Sequence, residues 1–313
     1  MDANDHPLKK RDFANRYFDA SIWNDIKYRD GDIVVASYAK AGTTLVQQII
    51  AQLIFDHDND VDVATISPWI DSVYPDKQVK LDLIEAQTHR RFLKTHLPMD
   101  ALILSEKAKY IYVGRDGRDI VWSLFDHQNA ARQDAQLLLD KEAKPSGRLR
   151  VATPPQSSIT EFFDAWLDKD GFPFWPFWEN LRSWWLARIL PNVLFVHYAD
   201  LITDMGEQIL RIAAFLEVPL SLDRLPRILH NCSLGHMRNN ARRYVPHGAG
   251  LWKDDGKLFF NKGQNGRWID TLTPEASAKF EQHAMAELGV DCAKWMMSGM
   301  RRPRPIDFSV AAA

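Results

Sequence analysis

Lys40, Gly42, Thr43 and Thr44 fall close together in the stretch Tyr38-Ala39-Lys40-Ala41-Gly42-Thr43-Thr44. These residue types suit an anion. Where such a stretch joins a strand to a helix, the unpaired N–H groups and the dipole of the helix N-terminus favour negative charge. Gly42 lets the backbone approach a ligand closely, the threonines add hydroxyl donors, and Lys40 adds a compact positive charge. The order is not that of the Walker A loop, GxxxxGK[ST]: the lysine precedes the glycine and none follows it, which disfavours a P-loop kinase or NTPase. On these residues alone, an ordinary strand-to-helix turn with a surface lysine remains an alternative.

The elements around this stretch must place it. The apolar run Ile33 to Ala36 predicts a buried strand, and Leu45, Val46, Ile49, Ile50, Leu53 and Ile54 follow at helical spacing. A second unit has a strand over Tyr110 to Val113, a turn over Gly114 to Arg118 and a helix over Asp119 to Gln128. A third strand, Val193 to Val196, leads through Tyr198-Ala199-Asp200 into a helix around Gly206 to Leu216. Strands alternating with helices predict an α/β fold, a single domain over 1–300 with a central parallel sheet flanked by helices. Ligands in such folds bind beyond the carboxyl ends of the strands, where the turns at 38–44 and 114–118 lie. The aperiodic segment 131–160, with Lys141, Pro145, Gly147, Pro154 and Pro155, predicts an insertion or lid, and 301–313 a flexible tail.

Four stretches together carry a resemblance. Lys40-Ala41-Gly42-Thr43-Thr44 is similar to the PKSGTT loop of the cytosolic-type sulfotransferases, and Lys94-Thr95-His96-Leu97-Pro98 is identical to their KTHLP motif. The run Tyr112 to Ser123 resembles their strand–turn–helix, and Lys262-Gly263-Gln264-Asn265-Gly266-Arg267-Trp268 their KGxxGxW loop. The match runs in order from about residue 30 to about residue 297. Ser67 to Asp71 and Gln87 to Arg91 further resemble a bacterial branch, some of whose members are named for glycolipid acceptors.

The resemblance implies a P-loop-NTPase-like sulfotransferase fold. It also implies sulfuryl transfer from 3'-phosphoadenosine-5'-phosphosulfate (PAPS) to a hydroxyl of a small hydrophobic molecule or glycolipid, with adenosine 3',5'-bisphosphate (PAP) as product and no metal. By the family pattern His96 is the general base, and Lys40 follows charge onto the leaving phosphate. Lys94 lies near the sulfuryl group; in an extended stretch it points the same way as His96. The loop Lys40, Ala41, Gly42, Thr43 and Thr44 holds the 5'-phosphosulfate. Arg115 and Ser123 hold the 3'-phosphate, Lys262 and Gly263 close it from the C-terminal loop, and Tyr198 contacts the adenine end. Alternatives to these roles are a packed histidine at a strand end, a solvated Lys94, an Arg115 bound into the Asp116/Asp119 charge cluster, and a core tyrosine.

The chain departs from the pattern in places. Leu45 stands where the family has a tryptophan against adenine, and Asn261 where an arginine usually precedes Lys-Gly, leaving one 3'-phosphate contact neutral. These two positions favour a non-catalytic nucleotide-binding relative, whereas Lys40, Lys94 and His96 argue against it. The family's dimer motif corresponds to Ile269, Thr273, Pro274 and Ala278, and three of these four differ from it, so that mode of dimerisation is not expected.

On the acceptor side, Phe162, Phe163, Trp166, Phe172, Phe174, Trp175 and Phe177 form a dense aromatic run, broken by Gly171, Pro173 and Pro176. It suits an apolar acceptor pocket or a membrane-facing entrance. Farther on, Leu181, Trp184, Trp185 and Ile189 suit the buried face of one helix. The bulk composition fits a globular enzyme. The chain has 313 residues, 46% hydrophobic and 26% charged, with a formal net charge of -2 that argues against a nucleic-acid partner. Two cysteines outside any metal-type spacing, a polar N-terminus and no apolar run of membrane-spanning length predict a cytoplasmic protein.

Overall fold

The computed structural model describes residues 9–15, 17–55, 61–132, 158–171 and 176–299. Strands β1 (Asp32–Ser37), β2 (Phe92–Thr95), β3 (Ala108–Gly114) and β4 (Val193–His197) form one parallel sheet in the order β2-β1-β3-β4. The helices are α1 (Thr43–Ile54), α2 (Val63–Ile66), α3 (Lys77–Glu85), α4 (Gly117–Ala130), α5 (Ile159–Asp168) and α6 (Phe177–Ala187). They continue as α7 (Tyr198–Thr203), α8 (Met205–Leu216), α9 (Leu225–Asn231), α10 (Leu234–Asn239), α11 (Pro274–Leu288) and α12 (Val290–Ser298).

The unbroken apolar character of β1 follows from its place inside the sheet. Val34 and Ala36 join one core cluster with Leu93, Tyr110 and Tyr112, while Ile33 and Val35 join the other with Phe92, Ile111 and Val113. Alternate residues therefore face opposite layers, and both layers are covered. Trp184 of α6, Phe280 of α11 and Trp295 of α12 fill the first layer; Ile49 of α1, Ile212 of α8 and Ile228 of α9 fill the second. The chain leaves β1 toward β2 on one side and β3 toward β4 on the other. The crevice at such a switch point is where ligands bind in open α/β sheets.

Three units of the sequence reading hold, with shifts at their ends. Helix α4 begins at Gly117, two residues before the expected start, because the Asp116 carboxylate caps it by accepting from Arg118 N at 2.9 Å. The link Tyr198-Ala199-Asp200 is itself helical, started by His197 Nδ1 accepting from Ala199 N at 3.1 Å, and α8 follows with Asp204 as its cap. Of segment 131–160, Ala131 bridges to Trp252 and Ser158 caps α5. The remainder, 133–157, and the tail 301–313 lie outside the described residues.

The aromatic run is corrected. Phe162, Phe163, Trp166 and Phe177 are buried in one core cluster with Trp178 and Phe280 and are not part of the wall of the cavity described below. Phe172, Phe174 and Trp175 lie outside the described residues. Trp184 and Trp185 are buried as expected, but Ile189 is 64% exposed. Helix α6 ends at Ala187, and the closing turn, with Leu190 N donating to Ala187 O, tucks Leu190 inward instead.

Candidate functional site

One cavity opens beyond the carboxyl ends of β1, β2 and β3. Its wall includes Lys40, Gly42, Thr43, Thr44, Lys94, His96, Arg115, Ser123, Tyr198, Asn261, Lys262 and Gly263. Every site residue expected from the sequence is thus gathered here except Ala41, which is buried under the loop with its N–H turned to Tyr38 O at 3.4 Å.

The loop after β1 reaches the cavity through two left-handed residues, Lys40 at φ 65° and Gly42 at φ 107°. A Cβ at Gly42 would lie 2.6 Å from the Tyr198 ring, so backbone conformation and the close approach both call for glycine. Thr43 opens α1, whose N-terminus no side chain caps, and its Oγ1 lies 2.5 Å from Ser37 Oγ. The start of α1 therefore turns its dipole and first N–H groups toward the cavity, as an anion site requires.

Lys40 Nζ donates to His127 Nδ1 at 3.1 Å and lies 4.0 Å from the centroid of the Phe259 ring. Burial, then the positive charges of Lys94 and Arg115, lower its pKa to about 7. Lys94 and His96 both line the cavity, as an extended stretch through the end of β2 dictates. Burial lowers Lys94 to about 8, with Asp71 opposing, and its ammonium lies 5.2 Å from the Trp69 ring centroid.

His96 is 5% exposed and is held on several sides. Its Nδ1–H donates to Ser37 O at 2.9 Å, which places the lone pair of the neutral ring on Nε2. Its main-chain N–H donates to Asp71 Oδ2 at 3.3 Å, and its carbonyl accepts from Asn180 Nδ2 at 2.9 Å. Burial and the charge of Lys94 hold its pKa well below the ordinary imidazole value, so the ring is neutral at pH 7.

Arg115 ties two loops together. Its Nε donates to Asn265 Oδ1 at 3.1 Å, its Nη1 to Lys40 O at 3.1 Å and its Nη2 to Gln264 O at 3.0 Å. The guanidinium also lies 4.2 Å from the Tyr198 ring centroid. The carboxylate beside it in sequence, Asp116, pairs instead with Arg118 at 2.8 Å. Arg115 lines the cavity, and Asp116 and Asp119 remain close enough for their charges to act on it.

Three residues the sequence reading assigned no role belong to this site. His127, four residues after Ser123 on α4, shares its face and holds Lys40; that i,i+4 spacing was the available signal. Trp69 lines the cavity with its ring centroid 5.0 Å from that of His96. Asp71, fully buried, accepts from Trp69 Nε1 at 3.0 Å and from Trp23 Nε1 at 3.4 Å as well as from His96 N. Trp69, Pro246, Leu258 and Phe259 give the wall its apolar part. Leu45, Ile202, Met205, Leu234 and Met237 also line the cavity, with aliphatic and thioether groups. Among the described residues no helix is long and apolar enough to cross a membrane, and no group of three or more His, Cys, Asp or Glu could hold a metal ion.

Comparison with known proteins agrees with this geometry. A family model described as a sulfotransferase domain matches residues 30–291. A "Glycolipid sulfotransferase" of Mycobacterium bovis is 29% identical, covering 95% of this chain and 98% of its own. "Sulfotransferase 1E1" of Homo sapiens is 26% identical, covering 83% of this chain and 86% of its own. Among solved structures, retinol dehydratase in complex with androsterone and inactive cofactor PAP superposes with a TM-score of 0.67 at 22% identity, covering 93% of this chain and 91% of its own. A mouse sulfotransferase complexed with PAP gives a TM-score of 0.70 at 22% identity, covering 88% of this chain and 92% of its own.

Proposed function

The chain belongs to the sulfotransferase domain family, and from that premise we propose that it transfers the sulfuryl group of PAPS to a hydroxyl of a hydrophobic acceptor, with His96 as base and Lys40 at the leaving phosphate. The observation that carries this reading is the convergence of Lys40, Lys94 and His96 on one cavity, with the His96 Nδ1–H committed to Ser37 O. The relatives named for glycolipids and the neighbours that hold androsterone or retinol with PAP support the acceptor class.

The cavity suits this donor. The N-terminus of α1 and Lys40 offer one anion site, and Arg115, Ser123, Lys262 and Gly263 a second, which matches a nucleotide with anionic groups at both 5' and 3' positions. In the reaction the acceptor oxygen forms a bond to sulfur as the bond from sulfur to the bridging phosphate oxygen breaks. His96 Nε2 takes the acceptor proton; its depressed pKa keeps it neutral and ready to do so. Lys40 gives up its bond to His127 and meets the bridging oxygen, where charge accumulates. Lys94, on the same face as His96, supports the negative oxygens of the group in flight, and Trp69 with Phe259 keeps water from that side.

Incubation of the purified protein with PAPS and a panel of phenols, long-chain alcohols, sterols and glycolipids tests this reading. Mass spectrometry should find acceptors that gain one sulfuryl group while PAP accumulates in equal amount. Tight PAP binding with no sulfated product across the panel would instead indicate a nucleotide-binding relative without turnover.

A further inference from the structure

The C-terminal loop carries a cation whose role nothing above explains. Arg267 lines the cavity together with Arg115, Ser123, Lys262 and Gly263. It gets there through two left-handed glycines, Gly263 at φ 61° and Gly266 at φ 76°, which fold the loop back onto α4. On α4 the residues Asp119, Ser123 and Asp126 follow at spacings of four and three and so share one face. The loop docks on that face: Gly266 N donates to Asp119 Oδ1 at 2.8 Å, and Arg267 Nη1 pairs with Asp126 Oδ2. Ser123 stands between these two anchors, so the Arg267 guanidinium is fixed one helical turn from its hydroxyl. Arg267 is also close enough for its charge to oppose that of Arg115. Two guanidiniums brought together beside a hydroxyl and a lysine, at a cavity wall, form an arrangement that an anion between them relieves.

We propose that Arg267 is a ligand-binding residue: it supplies the second guanidinium for the donor's 3'-phosphate, the charge that the neutral Asn261 does not provide, and Asp126 aims it. The inference rests on the PAPS reading above. Arg115 spends three N–H groups on loop acceptors and keeps two for a ligand. A phosphate held by that fork and the Ser123 hydroxyl retains acceptor capacity on the side where Arg267 lies. The pair with Asp126 does not prevent this, since a guanidinium carries donors enough for a carboxylate and a phosphate together.

Equilibrium binding of PAP and of adenosine 5'-monophosphate, which differ by the 3'-phosphate, tests the proposal in wild type, Arg267→Gln and Arg267→Lys. Wild type should prefer PAP. Arg267→Gln should cut that preference roughly ten- to a hundred-fold through PAP alone, the size of a lost charge-assisted hydrogen bond. Arg267→Lys keeps charge but not the fork and should fall between; because it preserves the ion pair with Asp126, it also serves if the glutamine variant folds poorly. Equal loss for both ligands, or an unchanged preference in both variants, overturns the proposal. A wild-type protein that does not distinguish the two ligands overturns the PAPS reading itself and this inference with it.

Discussion

Lys40 is half-buried beside two other cations, Lys94 and Arg115, and its ammonium bonds to a neutral imidazole, that of His127. Such a lysine is poised for a partner that gains charge. An interaction made mainly in the transition state lowers turnover without an equal loss of affinity. Lys40→Met should therefore reduce kcat strongly while the Kd for PAP rises less. Collapse of PAP affinity with an intact saturated rate would make Lys40 a binding residue only. His127→Leu should keep the packing against Trp252 and Phe259 but lower kcat, and His127→Asn, which restores an acceptor, should recover part of it; equal rates in the two variants would mean that His127 only packs. At this scale the sequence was informative where residue types are rare and ordered, as in the loop at Lys40 and the stretch at Lys94 to Pro98. For His127 it offered only the i,i+4 spacing from Ser123, because the residue's meaning depends on a contact across 87 positions of chain.

The elements explain why those side chains meet. The sheet order puts the loops after β1 and β3 side by side, and the pairing of Ser37 with Val113 aligns their ends. Gly42 is the tightest point of that construction. Gly42→Ala would force a methyl into the Tyr198 ring at a φ that L residues rarely adopt. We expect a stability loss on the order of 1–3 kcal/mol, read by denaturant unfolding, together with weakened PAP binding; wild-type stability and affinity would show that the loop is not so constrained. Strands β1, β3 and β4 were legible because buried parallel strands are continuous apolar runs. Strand β2 was not, since Phe92–Thr95 is short and half polar, and its pairing to β1 supplies what its own sequence does not. The aromatic run misled for a related reason: large rings are as useful for filling the layer between α5, α6 and α11 as for lining a pocket. Only packing distinguishes those uses. The apolar wall came instead from residues in several separate segments, among them Leu45, Trp69, Ile202, Leu234, Pro246 and Phe259.

For the whole molecule, the concentration of positive charge in one cavity predicts a linkage between nucleotide and protons. At pH 8 most Lys40 side chains are neutral, because their pKa lies at about 7, and Lys94 at about 8 is half charged. Binding a multiply charged anion favours the ammonium forms and raises both values. PAP binding at pH 8 should therefore take up protons, seen by calorimetry in two buffers of different ionisation enthalpy, and Lys40→Met should take up fewer. Proton release, or none, would contradict the charge arrangement described here. The most direct test of the account is a paired measurement on His96→Asn: the rate of PAPS-dependent sulfation at saturating acceptor, and the Kd for PAP. With His96 as the base, the rate should be lower by roughly 100- to 10,000-fold, as for loss of a general base, with PAP affinity close to that of the wild-type protein. A near-normal rate at saturating acceptor would contradict it and remove His96 from the mechanism.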